Sequence, residues 1–213
     1  MILMLILAIL IILPAQYIRK PHVTGAVVAQ VFVRPSPIVY LCNISIVNGW
    51  NLISIPCSTN NQSVTSILNH VSGYFISIHS YNPLNSTDHW KSYNPTLPSW
   101  VVNDLIDIST DNGYWINVLS SSYLSVNGTI QKPATISLYN GWNLVGFISN
   151  QSRNISIALS SISGNYSLLS SYNSTNLTFI VYDPNRSNNN ISELSPNRGY
   201  WINATSNIDW VIS

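Results

Sequence analysis

The side chains that could perform acid–base or nucleophilic chemistry in this chain are few and scattered. Glu193 is the single glutamate, so a glycosidase-type carboxylate pair would have to come from aspartates spread along the chain. The sequence contains no Gly-x-Ser-x-Gly nucleophile elbow, no phosphate-binding glycine loop and no zinc-spaced set of Cys and His. We therefore predict that the protein is not an enzyme and uses no cofactor, metal or small-molecule substrate.

Two smaller groups of polar residues are candidate reactive sites. His79, Asp88 and His89 lie close together in the sequence and could hold a metal ion, although such residues are more often ordinary surface side chains. Lys91 and Lys132 could form isopeptide bonds to Asn or Asp, as lysines do in some bacterial pilins. We expect neither chemistry.

Four tryptophans, Trp50, Trp115, Trp142 and Trp201, recur at matching positions in the two halves of the chain. We predict that they are core aromatics. The alternative is that they are platforms on which sugar rings stack.

The charge content limits the classes of partner. Charged residues make up 7% of the chain, against roughly 25% in an ordinary globular protein, and 8 Lys and Arg nearly balance 7 Asp and Glu. This balance predicts no binding of nucleic acid and no polybasic contact with a membrane. Acid denaturation results mainly from the protonation of paired carboxylates, and this chain has few carboxylates to protonate. We therefore predict that the protein works in an acidic medium. Its melting temperature should change little between about pH 6 and about pH 3.

The body of the chain contains two copies of one module. Five landmarks recur in the same order: Ile44–Leu52 with Ile136–Leu144, Val71–Gly73 with Ile162–Gly164, Ser80–Asn82 with Ser171–Asn173, Tyr93–Pro95 with Tyr182–Pro184, and Gly113–Asn117 with Gly199–Asn203. The junction is predicted at Gln131–Ala134, which places the first module at residues 38–133 and the second at 134–213.

Each copy is predicted to be mainly β, with one short helix. Asn48-Gly49 and Asn140-Gly141 lie between β-branched and aromatic runs, which favours type I′ hairpins. The remaining elements are helices at Ser63–Val71 and Ile155–Ile162, strands at Tyr74–Tyr81, Trp90–Tyr93, Tyr166–Tyr172 and Phe179–Tyr182, and closing strands that begin at Trp115 and Trp201.

The two copies differ at their C-terminal ends. The first continues through Val126–Ile130, whereas the second stops at Ser213, just after Trp210-Val-Ile. We therefore predict that the second copy lacks a final strand and leaves an open apolar groove that must be covered.

Residues 1–21 are predicted to be a targeting segment. As a helix, the apolar run Met1–Ala15 spans roughly 22 Å, short of the roughly 30 Å hydrocarbon core, and this length is typical of a signal peptide. Arg19 and Lys20 follow the run. If the run were a permanent membrane anchor, these basic residues would place the chain that follows it on the cytoplasmic side. Cleavage between Ala15 and Ala26, with export of the body, is the simpler interpretation.

Residues 22–37 form a predicted N-terminal tail and proline-rich linker. His22–Val33 is β-prone and is closed by Arg34-Pro35-Ser36-Pro37, because proline cannot continue a strand ladder. The tail is either the first strand of the protein's own sheet or a strand that completes a sheet in a neighbouring molecule. In the second case the candidate donor residues are Val23, Val27, Ala29, Val31 and Val33, with Val28, Gln30 and Phe32 on the opposite face.

Cys42 and Cys57 are predicted to form a disulfide. Their counterparts in the second copy are Ala134 and Ser149, so the two cysteines are present or absent together. A bond closing a loop of about 15 residues would contribute roughly 3 kcal/mol and fits an oxidising compartment. Two buried free thiols are the alternative.

The chain is rich in Asn-x-Ser/Thr sequons, at roughly twice the frequency that its composition predicts, which supports N-glycosylation as a surface coat. The candidate glycosylation sites are Asn43, Asn61, Asn85, Asn127, Asn150, Asn154, Asn165, Asn173, Asn176, Asn185, Asn190 and Asn203.

The paired Gly-Trp-Asn-Leu and Gly-Tyr-Trp-Ile motifs, the apolar tail and the dense sequons together resemble the subunits of the archaeal thread, a glycosylated cell-surface filament of thermoacidophiles. The resemblance implies two tandem Ig-like or pilin-like β-sandwich modules preceded by an extended donor strand. It also implies an extracellular filament in which identical subunits join head-to-tail by donor-strand complementation, with other cells or surfaces as further partners.

The alternative function is a monomeric or membrane-anchored surface adhesin that binds carbohydrate through exposed tryptophans. Retention of Met1–Ala15 in the mature protein and failure to sediment as a polymer would favour it.

Overall fold

The computed structural model describes residues 36–98 and 100–213. The chain divides into two units, Met1–Ile38 and Val39–Ser213. The predicted targeting segment and the tail, with the candidate donor residues Val23, Val27, Ala29, Val31 and Val33, lie outside the described residues. Both therefore stay predictions.

The second unit is mainly β, as predicted. The strands of the first copy are β1 (Tyr40–Ile46), β2 (Gly49–Ser54), β3 (Phe75–Tyr81), β4 (Trp90–Tyr93), β5 (Gly113–Val118) and β6 (Ser122–Gly128). Those of the second copy are β7 (Ala134–Leu138), β8 (Gly141–Gly146), β9 (Arg153–Asn154), β10 (Tyr166–Asn173), β11 (Thr178–Tyr182), β12 (Glu193–Leu194), β13 (Gly199–Ala204) and β14 (Ile208–Ile212). The short helices are α1 (Val64–Ile67) and α2 (Ile155–Ala158), each followed by a 3₁₀ turn, Asn69–Val71 and Ser160–Ile162.

Each copy has the same sandwich-like arrangement of sheets. A 4-stranded antiparallel sheet, in the order β2-β5-β3-β4 or β8-β13-β10-β11, accompanies a 2-stranded sheet, β1-β6 or β7-β14. Each copy has its own cluster of buried apolar residues, built from these strands and the short helix. The described helices are all too short to cross a membrane.

The two Asn-Gly sites are bends between sheets and not hairpins, so this prediction is wrong. β1 pairs with β6, whereas β2 pairs with β5, and the chain passes from one sheet to the other at Asn48-Gly49. The side chain of buried Asn51 fixes the bend, because its Oδ1 accepts the Val47 N–H at 2.9 Å and its Nδ2 donates to the Val47 carbonyl at 2.7 Å. Asn143 repeats these contacts in the second copy.

The second copy has its final strand, contrary to the prediction of an open groove. β14 pairs with β7 along its length, as β6 pairs with β1. The outer edge of β14 is partly satisfied, because the Val211 N–H donates to Ser161 Oγ at 2.9 Å. The loops that precede β6 and β14 have the same length, residues 119–121 and 205–207, and β14 is only the shorter of the two strands.

The buried tyrosine of each Gly-Tyr-Trp-Ile-Asn motif clamps the loop before it. The Tyr114 hydroxyl accepts the Ser109 N–H at 2.6 Å and donates to the Ser109 carbonyl at 3.1 Å. Tyr200 makes the same pair of bonds with Ser195, at 2.7 and 3.3 Å. Burial raises the pKa of Tyr200 to about 12, so the hydroxyl stays protonated.

We expect Tyr114→Phe and Tyr200→Phe each to lower the free energy of unfolding by about 1–3 kcal/mol, because the backbone groups they satisfy are left without partners. Urea denaturation measures the change. Tyr123→Phe, at a side chain that is 61% exposed, is the matched control. Equal stability of all three variants would contradict this role for the hydroxyls.

The disulfide between Cys42 and Cys57 is present, with the Cα atoms 6.0 Å apart, which confirms the predicted pairing. The second copy fills its core differently. Trp210 is fully buried there, stacks with Phe147 at a centroid distance of 6.1 Å and donates its indole N–H to the Ala158 carbonyl at 2.7 Å.

The outer faces of the two 4-stranded sheets pack against each other through equivalent backbone contacts. The Ser54 N–H of the first copy donates to the Asn197 carbonyl of the second at 3.0 Å, and the Gly146 N–H donates in return to the Asp111 carbonyl at 2.8 Å. Ser54 and Gly146 occupy equivalent positions, as do Asn197 and Asp111. Such reciprocal contacts indicate an approximate twofold axis between the copies.

Glycines allow the sheet faces to approach closely at this interface. A Cβ at Gly113 would lie 2.8 Å from the Val145 carbonyl oxygen, and one at Gly199 would lie 2.7 Å from the Ile53 carbonyl oxygen. This contact explains why glycine opens both Gly-Tyr-Trp-Ile-Asn motifs.

Candidate binding clefts

An aromatic row runs across the outer face of each 4-stranded sheet. In the first copy Trp50 lies on β2, Trp115 on β5 and His79 on β3, and Trp115 pairs in register with His79. Strand alternation places these side chains outward, because the neighbouring Tyr114 and Ile116 point into the core. The same alternation places Trp142 and Trp201 outward in the second copy.

The tryptophans on β5 and β13 reach across the interface between the copies. The ring of Trp115 lies 5.1 Å from that of Tyr172 and 6.1 Å from that of Phe179. In return, the ring of Trp201 lies 5.0 Å from Tyr81 and 5.9 Å from Trp90. These edge-on and tilted contacts are favourable arrangements for aromatic rings.

Trp50 and Trp142 are each 41% exposed, so the prediction that they are core residues is wrong. Both lie against the tryptophan of the adjacent strand, Trp50 with Trp115 and Trp142 with Trp201, at 6.2 Å in each case. The side chains on the other face of each strand form the core. The recurrence of the tryptophans at matching positions does not indicate which face of a strand is buried.

These side chains line two open clefts. The first cleft, of about 470 Å³, is lined by Trp50, His79, Trp90, Trp115, Tyr172 and Phe179. The second cleft, of about 330 Å³, is lined by Tyr81, Trp142, Ser170, Phe179 and Trp201. The linings correspond under the approximate twofold relation, and Phe179 contributes to both.

The clefts are uncharged at neutral pH. Neither lining contains Lys, Arg, Asp or Glu. Burial lowers the pKa of His79, although the Asp104 carboxylate acts in the opposite direction, so the imidazole is neutral at pH 7. A cleft with aromatic walls and no charge suits a neutral ligand with apolar faces.

Asparagines border both clefts. Asn117 pairs in register with Trp50, and Asn203 pairs with Trp142. Both lie two residues after the cleft tryptophan of their strand and so share its face. Among the described residues, neither side-chain amide has a hydrogen-bonding partner, which leaves both amides free to bind ligand hydroxyls.

His79 is expected to make the protein less stable as the pH falls. Between its lowered pKa and the ordinary value of 6.5, the unfolded chain binds a proton that the folded chain does not, so the free energy of unfolding decreases as the pH falls through this window. We expect His79→Ser, which installs the residue type found at Ser170, to reduce this loss in melting curves recorded at mildly acidic pH. Exposed His70→Ser is the control; an unchanged pH dependence in His79→Ser would contradict the assignment.

The other candidate reactive residues are not brought together. His79 Nε2 lies 2.9 Å from Ser77 Oγ, whereas His89 Nδ1 lies 3.0 Å from the Asn82 carbonyl oxygen and its ring stacks on Tyr81. Within residues 36–98 and 100–213, no three His, Cys, Asp or Glu side chains form a metal-binding group.

Both candidate isopeptide lysines are exposed. Lys132 Nζ donates a hydrogen bond to Asn150 Oδ1, and both side chains are exposed. Lys91 is exposed on the edge strand β4. Neither lysine lies in the desolvated, apolar surroundings that activate a lysine as a nucleophile.

The predicted glycosylation sites are accessible. Every sequon asparagine is exposed or partly exposed, and none is buried. Asn154 also caps α2, because its Oδ1 accepts the Ser156 N–H at 3.0 Å.

Sequence reasoning missed Tyr81, Tyr172, Trp90 and Phe179 as cleft residues. A signal was present for the tyrosines, because Ser-Tyr-Asn recurs in both copies. The positions of Trp90 and Phe179 carry an aromatic residue in each copy, but their contact with the opposite copy depends on the interface.

No protein-family description, curated protein or solved structure matches this chain significantly.

Proposed function

We propose that the protein is the structural subunit of an extracellular filament, which grows head-to-tail when the N-terminal strand of one subunit adds to a sheet of the next. In this proposal each copy is an Ig-like or pilin-like sandwich module and residues 22–33 are the donor strand. One observation carries it: the sheets that correspond in the two copies are all built from residues after Val39, so the correspondence between the copies needs no strand from residues 22–33.

The free edges of the 2-stranded sheets are the candidate acceptors. β1 and β7 each pair on one side, with β6 and β14, and within the described residues no strand lies on their other side. An unpaired strand edge offers a row of N–H and C=O groups to an incoming strand. The Ser161 contact already occupies part of the β14 edge, which favours β7 in the second copy.

This mode of contact joins two different surfaces of the subunit, and it therefore propagates as a fibre unless the rotation between subunits closes a ring. The low charge, the disulfide and the accessible sequons are consistent with a subunit that works outside the cell. The glycans would coat the filament.

Filament formation tests this proposal. We expect negative-stain images of the surface fraction to show filaments for the unmodified protein and secreted monomer after deletion of residues 22–33. Val31→Asp places a charge on the predicted inward face of the donor strand and should prevent assembly. Gln30→Asp on the opposite face is the matched control and should assemble normally.

Two results would contradict donor-strand assembly. The first is that the unmodified protein forms no filaments, and the second is that the deletion variant still forms them.

A second candidate function is the binding of neutral carbohydrate, and the first cleft favours it. Trp50 and Trp115 present aromatic surface beside the free amide of Asn117 and the neutral imidazole of His79. Sugar rings combine apolar C–H faces with hydroxyl groups, so they match a site that offers aromatic faces and a few polar groups.

Binding of neutral oligosaccharides by the secreted protein tests this candidate. We expect Trp50→Ala to weaken binding about tenfold, equivalent to about 1.4 kcal/mol, because the main stacking surface is lost. Trp100→Ala, at an 81% exposed side chain outside both clefts, is the control. If no neutral oligosaccharide binds, or if both variants bind equally, the first cleft has another role.

A further inference from the structure

One predicted glycosylation site lies beside an aromatic cleft. Asn203, in the sequon Asn203-Ala204-Thr205, is directly opposite Trp142 in the β13–β8 ladder. It also follows Trp201 by two residues and therefore lies on the same face of β13. Both tryptophans line the second cleft.

The equivalent position in the first cleft carries the same asparagine without the sequon. Asn117 lies opposite Trp50 in the β5–β2 ladder, but residue 119 is Leu119 where the second copy has Thr205. The backbone contacts are the same in both copies, since the Leu119 N–H donates to the Tyr74 carbonyl and the Thr205 N–H to the Asn165 carbonyl. The copies differ here mainly in their ability to be glycosylated.

A sugar on Asn203 would begin within reach of aromatic rings. Cβ atoms of directly opposed residues in an antiparallel ladder are about 4.5–5.5 Å apart, so the first sugar ring on the Asn203 amide would be within reach of Trp142. The second cleft has a volume of about 330 Å³, has no charged lining residue and opens to solvent. The axial C–H groups of a pyranose can then pack on the indole faces, and its hydroxyls remain hydrated.

We propose that an N-linked glycan on Asn203 packs on Trp142 and Trp201 and fills the second cleft, while the first cleft stays open for a sugar from outside the chain. The proposal rests on the export and glycosylation in the proposed function. In the modification step, a bond forms between Asn203 Nδ2 and C1 of the sugar. The bond from C1 to the phosphate oxygen of a lipid-linked oligosaccharide donor breaks, and the amide proton leaves with the lipid phosphate.

The test uses full-length protein exported by the cells that naturally make it. Peptide mass spectrometry measures the occupancy of Asn203, and oxidative footprinting measures the reactivity of Trp142. We expect Asn203 to be occupied and Trp142 to be protected. Thr205→Ala should abolish occupancy and raise the reactivity of Trp142 several-fold, because the sequon is destroyed while the backbone bond of residue 205 is kept. Thr205→Ser keeps the sequon and should behave as the unmodified protein.

Two matched variants separate a local effect of this glycan from a general effect of glycosylation. Ser45→Ala removes the sequon of Asn43, on the 2-stranded sheet of the first copy, and should leave Trp142 protected. Leu119→Thr creates the missing sequon at Asn117 on a side chain that is 57% exposed. It should add a glycan there and lower the reactivity of Trp50.

The outcomes distinguish this inference from the proposed function. If other sequons are occupied but Asn203 is bare, or if Thr205→Ala leaves the reactivity of Trp142 unchanged, the inference is wrong and the filament proposal stands. If no sequon in the exported protein is occupied, glycosylation itself is wrong and the inference fails with it.

Discussion

Replacing Trp210 with alanine should lower the free energy of unfolding by about 3–5 kcal/mol, one of the largest effects expected for a single substitution in this chain. The side chain is fully buried against Phe147, and its removal leaves a cavity between β14 and α2. It also leaves the Ala158 carbonyl without its indole donor.

Equilibrium urea denaturation followed by circular dichroism measures this loss. Trp210→Phe should cost less than Trp210→Ala, because it keeps most of the apolar contact and loses mainly the hydrogen bond. Trp100→Ala, at a side chain that is 81% exposed, controls for loss of a tryptophan as such. A loss in Trp210→Ala no larger than in this control would mean that the second core does not depend on the indole.

Joint replacement of Cys42 and Cys57 by alanine should cost about 3 kcal/mol, because the loop they close is 15 residues long and its closure restricts the unfolded chain. The effect should appear as a lower urea midpoint, and a reducing agent should produce a similar loss in the unmodified protein. The reducing agent should leave the double variant unchanged. Equal midpoints for the oxidised protein and the double variant would show that the bond contributes no stability.

Trp210 in the second copy and the disulfide in the first stabilise corresponding regions of the two cores. Trp210 pairs with Ile136 in the second copy, at the position where Leu124 pairs with Ile44 in the first. The smaller Leu124 occurs in the copy that has the covalent bond. The copy with Ala134 and Ser149 in place of cysteines has the larger indole, whose buried area stabilises the folded state directly.

Local patterns in the sequence are sufficient to predict most elements of the fold. The short helices follow from apolar spacing, and the strands β3, β4, β10 and β11 follow from β-branched and aromatic runs. The disulfide follows from the joint absence of both cysteines in the second copy. Each of these inferences depends on residues that are close in sequence or on the repeat itself.

The bends at Asn48-Gly49 and Asn140-Gly141 are not predictable from the turn residues alone. The same dipeptide is compatible with a hairpin and with a passage between sheets, and the difference lies in buried Asn51 and Asn143, which occupy the backbone groups that a hairpin would pair. A local propensity is overridden here by a side chain two residues further along.

The exposure of the cleft tryptophans is harder to predict from the sequence than the bends are. The alternation of Tyr114, Trp115 and Ile116 shows that two faces exist, but not which face meets the core. That choice depends on the packing of the two copies, in which Gly113 and Gly199 permit close approach. The tryptophans are therefore identifiable as a repeated set, and their exposure is a property of the interface.

The reciprocal contacts between the sheet faces have a consequence for how the folded protein responds to dilution. Two separate modules with this interface would be a dimer whose population depends on protein concentration. Joining them in one chain replaces that concentration with a fixed effective concentration, which for a short linker is on the order of millimolar. Dilution into an unlimited volume therefore leaves the paired sheets together, and cleavage within Gln131–Ala134 would restore the dependence on concentration.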